Sequence, residues 1–590
     1  PTFVLPAEDP AELVIAQASC RKIHGKGQDA LAYLDKVIGD NRAIPDQRPQ
    51  QLFLTGDQVY ADDVPGPLLR LIGVHSGLSL GLDETVKIDK SNGKVEVVEA
   101  GISNFPPYLR QGLMTESAGF SSGSAGNHVI SFGEFCALYL NYWSLRSWHP
   151  DLIASLGRIQ KDNKDSTLTR EATNLLDDTA VENDPNLKSI YQDSQGVRSS
   201  LFKLHFDSDA KARYEVQPVT VSSPGKQQER FDKWLEKIRS RLKSDLKEMA
   251  EFTRVLPQVS RVLANVSCYM IFDDHEVTDD WFLSQRWKNH VLSRSLGRDV
   301  IRNGLMAYAV FQDWGNVPDE YVAIQPSGGD SGSITPRTRF LRKVQDYAFA
   351  RLSGNPSAAS TDAVTESVER MLGLADKPAA LKWHYTVNTG PAKVFVLDTR
   401  TRRDYASLNS PPGLLTTAAL EEQLPDSMPD GETPFTIIVS PAPVLSISSF
   451  EELIQPVAAS VTGIRSTTGR DPGFLAGMLK RDFEAWGMSP ATFEALVERM
   501  SKLKKVIILS GDVHYGFSSL LDYWKGNAST PEARMVQFTS SALKNEEVGV
   551  VHLYRSAVAQ KLMTGIGDHL EKLGWKNRVL SVSGEVSIRN

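Results

Sequence analysis

Three short apolar runs in this chain stop abruptly at acidic turns, and that repeated break constrains the fold more than any bulk property. Leu52 to Leu54 stops at Thr55-Gly56-Asp57. Val266 to Phe272 runs into Asp273-Asp274-His275-Glu276. Lys505 to Leu509 gives way to Ser510-Gly511-Asp512-Val513-His514. Apolar runs this short, bounded by glycine or acids, predict buried strands. Buried strands alternating with helical stretches predict an α/β fold, in which ligands collect at the carboxyl ends of the strands. Each exit taken alone also reads as a helix N-cap or a solvated acidic turn. Their recurrence is what points to chemistry.

Other segments add functional groups to the same edge. Leu13 to Ala16 predicts a strand, so Cys20 falls just past its end. A lone cysteine there also reads as a small buried hydrophobe. A helix over Asp29 to Ile38 follows, with Leu31, Leu34 and Ile38 on one face. Tyr60 can point back toward Asp57, and Asp62 and Asp63 add oxygen nearby. In the second turn Asp273, Asp274, Glu276, Asp279 and Asp280 surround His275. So many carboxylates repel one another unless a cation neutralises them. Val394 to Leu397 leads instead into Arg400, Arg402 and Arg403. Those cations either face a phosphate or pair with the acidic turns.

Residues 70 to 260 carry no comparable strand exit. Phe132 to Trp148 predicts a helix, 158 to 228 a polar excursion, and Phe231 to Met249 a long amphipathic helix. Strands are also expected at Lys382–Thr389, Phe435–Val439 and Met535–Phe538, and a helix at Ser293–Gly315. Residues 445 to 480 read as a further excursion and the end of the chain as helix-rich.

Composition excludes several classes. The formal charge of -7 gives no electrostatic case for nucleic-acid binding. Three cysteines in 590 residues do not make a disulfide framework. No apolar run approaches the ~18 residues of a membrane span, and Pro1 to Asp9 lacks the basic start of a signal peptide. The expectation is a soluble cytoplasmic protein, or a secreted or periplasmic one if a signal peptide has been removed.

Thiolate, phenolate, carboxylate and imidazole at one sheet edge suit two unlike metals, one transition ion and one ion of the Ca2+ or Mg2+ type. Asp57 is the natural bridge. Such a pair, roughly 3.5 to 4 Å apart, binds and cleaves phosphoryl groups. Alternatives are a phosphoester-binding or regulatory protein with weak catalysis, and a nuclease-type phosphodiesterase.

The ordered motifs Gly56-Asp57-Gln58-Val59-Tyr60-Ala61-Asp62, Ile271-Phe272-Asp273-Asp274-His275-Glu276-Val277 and Leu509-Ser510-Gly511-Asp512-Val513-His514 resemble the PhoD-like (alkaline phosphatase D) branch of the calcineurin-like metallophosphoesterases. Ala18-Ser19-Cys20, Leu397-Asp398-Thr399-Arg400, and Asp482 with Trp486 are similar to that family too. The resemblance covers about residues 11–62, 262–316 and 393–545. It implies a four-layer α/β/β/α sandwich formed by 1–69 and 261–590, with 70–260 a long, largely helical insertion. It implies Fe3+ held by Cys20, Asp57, Tyr60 and His514. It also implies Ca2+ near Asp57, Asp274 and Asp512, with Asp280 a further candidate and other divalent ions admissible. His275 and Arg400 would contact the phosphoester substrate, and His275 would assist the leaving group. Broader relatives have Asn before that histidine and His in place of Asp512. Both differences move the second site toward oxygen ligands, which suits Ca2+. A strand-end histidine between 400 and 500, found in the broader superfamily, has no counterpart here.

Overall fold

The computed structural model describes residues 2–90, 92–101, 104–176, 224–322, 334–352, 361–375, 381–428, 434–445, 486–524 and 529–546. Asp482, most of the 445–480 excursion and the chain after 546 lie outside them. Among the described residues the strands are β1 Ile15–Arg21, β2 Gln51–Leu54, β3 Thr85–Asp89, β4 Val95–Glu99, β5 Ser267–Met270, β6 Tyr385–Thr389, β7 Ala392–Val396, β8 Phe435–Ser440, β9 Lys505–Ser510, β10 Phe517–Tyr523, β11 Ala533–Thr539 and β12 Ala542–Lys544. They form a four-stranded sheet in the order β12-β1-β2-β5, a six-stranded sheet in the order β10-β11-β9-β8-β7-β6, and a β3-β4 hairpin. The four-stranded sheet is parallel throughout. In the larger sheet β11, β9, β8 and β7 are parallel, and β10 and β6 are antiparallel edges. The molecule is therefore a mixed α/β protein.

Alternation along the strands sorts the apolar side chains. Ala18, Leu52 and Leu54 pack on Leu31 and Ile38 of helix α1 (Ala30–Asp40) and on Val259 and Val262 of a long helix, Pro224–Leu263. Phe53, between Leu52 and Leu54, joins Val394, Val396, Ile437, Val439 and Leu509 of the larger sheet in a second core. Ile438, Val506, Ile508 and Met535 meet Leu420, Phe493, Leu496 and Met500 in a third. Across the gap between sheets, Gln17 Nε2 donates to Ser510 O at 2.5 Å and Phe538 O at 3.0 Å. That brings the β1 and β9 exits together.

The structure departs from sequence expectation at several points. β1 runs on through Cys20 to Arg21, because β12 supplies a partner there: Ser19 pairs with Ala542 and Arg21 with Lys544. The long helix spans Pro224–Leu263, and it runs past Met249 because its apolar stripe continues through Phe252, Leu256, Val259 and Val262. The hairpin of β3 and β4 falls in a region with no strand expectation, although Asn92-Gly93, with Gly93 at φ 76°, is a strong hairpin-turn signal. The core containing Phe53 also contains Leu68, Ile72, Leu138 and Leu246, so packing is continuous across residues 69/70. No helix among the described residues is long and apolar enough to cross a membrane.

Candidate metal centre

The site is built from turns that the chain tolerates only at close quarters. A Cβ on Gly56 (φ 122°) would lie 2.8 Å from Asp273 Cβ, and one on Gly511 would lie 2.3 Å from Ser19 Cβ. Glycine at both positions lets the β2 turn touch the β5 turn and the β9 turn touch β1. Four non-glycine residues around this point have left-handed backbones: Cys20 (φ 54°), Asp57 (58°), Asp512 (69°) and His514 (60°). Such conformations cost on the order of 1–3 kcal/mol each and cluster at functional sites.

Those turns bring together most of the residues expected from sequence. Ligand atoms of Asp57, Asp274 and His275 lie within 4.8 Å of one another, and so do those of Asp57, Asp273 and Asp512. Asp57 belongs to both groups. Its Oδ2 is 3.7 Å from Cys20 Sγ and 3.4 Å from the Tyr60 hydroxyl. Its Oδ1 is buried and accepts no hydrogen bond among the described residues. Asn545 Nδ2 sits 3.1 Å from the Tyr60 hydroxyl and 3.4 Å from His514 Nε2, tying those two side chains to the rim. A cleft of about 940 Å³, lined by Lys22, His24, Asp63, Arg241 and Asn545 among others, adjoins this rim.

Cys20, His514 and Asp280 lie outside both ligand groups, and two expected residues have protein partners of their own. Asp280 Oδ2 accepts from the Ser121 hydroxyl at 2.8 Å. Arg400 is buried, with its guanidinium 2.5 Å from Asp273 and 3.5 Å from Asp274, so the arginine pairs with the acidic turn. Two other residues have roles that sequence leaves unassigned. Asp273 enters a ligand group, and nothing in the Asp273-Asp274 dipeptide signals which acid faces the site. Asp62, five positions after Asp57, sets its Oδ2 2.9 Å from His275 Nδ1, and the His275 ring stacks on Tyr60 with centroids 4.2 Å apart.

The electrostatics are those of a buried acid cluster that favours protonated donors in the absence of an ion. Burial raises the Asp57 carboxyl well above its ordinary range; Asp274, Asp273 and Glu276 add to the rise and His275 opposes it. Burial, then the Asp57 charge, pushes the Cys20 thiol and the Tyr60 phenol up as well. Asp279 rises to about 7 through burial and the neighbouring Asp280. Burial works against a charged His275, but Asp62, Asp274 and Asp57 outweigh it and hold the imidazolium well above the usual range. Asp274 is also opposed by burial, yet Arg400, His275 and Arg403 keep it low. A cation among Asp57, Cys20 and Tyr60 would reverse the upward shifts and give the orphaned Asp57 oxygen a partner. The donor set therefore fits metal binding.

Fold and site together define a mixed α/β protein with a carboxylate-rich candidate metal centre at the exits of parallel strands. No family model and no curated protein matches the chain. A solved structure described as the structure of PhoD aligns with 92% of this chain at 11% identity and a TM-score of 0.32. The match spans 58% of that protein's length.

Proposed function

We propose that this chain hydrolyses phosphate esters, as a phosphomonoesterase, a phosphodiesterase or both, at a dinuclear metal centre. The observation that carries the reading is Asp57, shared by two ligand groups and left with a bare buried oxygen. In this reading Cys20, Asp57, Tyr60 and His514 would hold Fe3+. Asp57, Asp274 and Asp512 would hold Ca2+, with Asp273 a further oxygen donor. The bound ions would supply Lewis acidity toward the phosphoryl oxygens and a nucleophile at neutral pH. The chain's own contribution is His275. Asp62 engages Nδ1 and keeps the ring charged, which leaves Nε2 to donate to a phosphoryl or leaving-group oxygen.

The wider architecture is part of the same proposal. The three cores support a four-layer α/β/β/α arrangement, with helices outside each of two facing sheets. Residues 70–260 are read as an insertion in a domain made of 1–69 and 261–590, and as shaping access to the site. Support comes from Arg241, which pairs with Asp63, and from the Tyr142 hydroxyl, which accepts the Tyr60 N–H at 3.0 Å.

Metal-replete protein is expected to hydrolyse p-nitrophenyl phosphate or bis(p-nitrophenyl) phosphate, to lose activity in EGTA, and to recover with Ca2+ better than with Zn2+. No turnover of either ester with metals confirmed by elemental analysis would leave a phosphoester-binding protein. Full activity in calcium-free protein would remove Ca2+ from the proposal.

Iron gives a separate optical test. Tyr60 and Cys20 are the donors an ordinary zinc or magnesium hydrolase needs least, and coordination deprotonates both. Iron-loaded protein is expected to show a visible charge-transfer band. Tyr60→Phe should weaken or shift the band, and Cys20→Ser should perturb it, without unfolding. A colourless iron-replete protein, or one band common to wild type and both variants, would take these residues out of the site.

A further inference from the structure

Glu276 belongs to neither ligand group, yet it is fully buried at the centre of the site. A buried carboxylate must be matched by donors. Here the donors are backbone amides of two different turns. Oε1 accepts from Gln58 N at 2.7 Å and Val59 N at 3.4 Å. Oε2 accepts from Asp57 N at 3.2 Å and Asp273 N at 2.8 Å.

These contacts lie beyond the β2–β5 ladder, although β1 still bonds the β2 turn through Cys20 N–H to Gly56 O and Arg21 N–H to Asp57 O. The last ladder bond between the neighbouring strands is Ile271 N–H to Leu54 O, at 3.1 Å, before either turn begins. Beyond it, Ala61 N–H donates to His275 O at 2.8 Å, and Glu276 supplies four further bonds. Two of those bonds hold the amides of Asp57 and Asp273, two side chains whose oxygens meet in one ligand group. Burial and the Asp273 charge push the Glu276 carboxyl up to about 7, and the amides of Asp273, Gln58 and Asp57 oppose that rise. When the group is ionised, such bonds are about twice as strong as neutral ones. They act on a left-handed Asp57 backbone whose carbonyl is tied to β1, by Arg21 N–H at 2.8 Å, but which no ladder bond ties to β5.

We infer that Glu276 is a positioning residue for the metal centre: its carboxylate clamps the β2 and β5 turns together and so sets the spacing of the Asp57 and Asp273 oxygens before any ion arrives. The inference rests on the reading of this site as a metal centre. Glu276 touches neither ion nor substrate, and acts through the ligands' backbones. Groups of this kind typically change metal affinity by about 10- to 100-fold.

Glu276→Gln tests it. The amide keeps the side-chain length and one acceptor oxygen but turns an NH2 toward backbone donors. Calcium binding by calorimetry, metal content by elemental analysis and melting by circular dichroism are read on the full chain. The expected result is a folded protein whose Ca2+ dissociation constant rises about 10- to 100-fold, with turnover recovering as Ca2+ is added in excess. A clamp that only stabilised the fold would lower the melting temperature and leave Ca2+ affinity unchanged in folded protein, which would overturn the inference. Amide hydrogen exchange in metal-free wild type reads the same clamp if the variant does not fold. Gln58 and Asp273 N–H are expected to be strongly protected without metal, and fast exchange there would overturn it. Wild type that takes up no Ca2+ sinks the metal-centre reading together with this inference. Wild-type affinity in Glu276→Gln sinks the inference alone.

Discussion

Asp57→Asn is expected to lower turnover by at least about 10³-fold, about 4 kcal/mol of barrier, and to leave the chain as stable as before. The two halves of that expectation have separate causes. Activity falls because one carboxylate serves both ligand groups, so a single lost charge weakens both ion sites. Stability survives because the Asp57 charge is net unfavourable in the metal-free fold, its attraction to His275 being outweighed by burial and neighbouring carboxylates. Burial and three neighbouring carboxylates already push its proton affinity up. A neutral amide removes that repulsion. Asn is also among the residues that best tolerate the left-handed backbone at φ 58°. Elemental analysis and thermal melting of the variant check the two halves. Undiminished activity with full metal content would refute Asp57 as the bridge.

His275→Ala has the second-largest expected effect, a fall in kcat of about 10² to 10⁴, with metal content retained. The imidazolium ion-pairs with Asp62 at 2.9 Å through Nδ1, without a well-aligned hydrogen bond, and stacks on the Tyr60 ring. Truncation removes the donor and strands Asp62, a carboxylate that is 1% exposed. The double variant Asp62→Asn/His275→Ala should therefore be more stable than His275→Ala alone, with no recovery of turnover. His275 also lies within ligand reach of Asp57 and Asp274. Metal loss in step with activity would make it a ligand and end its role as donor.

Asp57, Asp274 and Asp512 were legible in the sequence for a common reason. Each follows closely on a short apolar run, and parallel strands deliver such residues to one edge of a sheet. Cys20, Tyr60, His275 and His514 were legible because they stand within a few positions of those exits. Glu276 was visible as one more acid, but its role depends on how close two turns come, which no local pattern records. The same holds for Arg400. A cation after a strand has two chemically sound partners, and only the approach of the β5 turn selects Asp273. β12 spans three residues, too few for any periodicity, and the extension of β1 through Cys20 went unread with it. The four-layer arrangement and the metal identities rest on the family resemblance and remain part of the proposal.

The pairing of β1 with β12 also sets an order of events. Gln17 bonds to Phe538 across 521 positions, and Asn545 closes over Tyr60 and His514. Contacts this distant in sequence form slowly, because loop closure must precede the interactions that reward it. On a ribosome, Cys20, Asp57 and Tyr60 emerge early and wait for almost the whole chain before His514 and Asn545 arrive. The first two turns of the cradle are made early, but the cradle closes near the end of synthesis. If the site binds metal as proposed, a fragment stopping short of residue 545 would lack the rim formed by Asn545 over Tyr60 and His514.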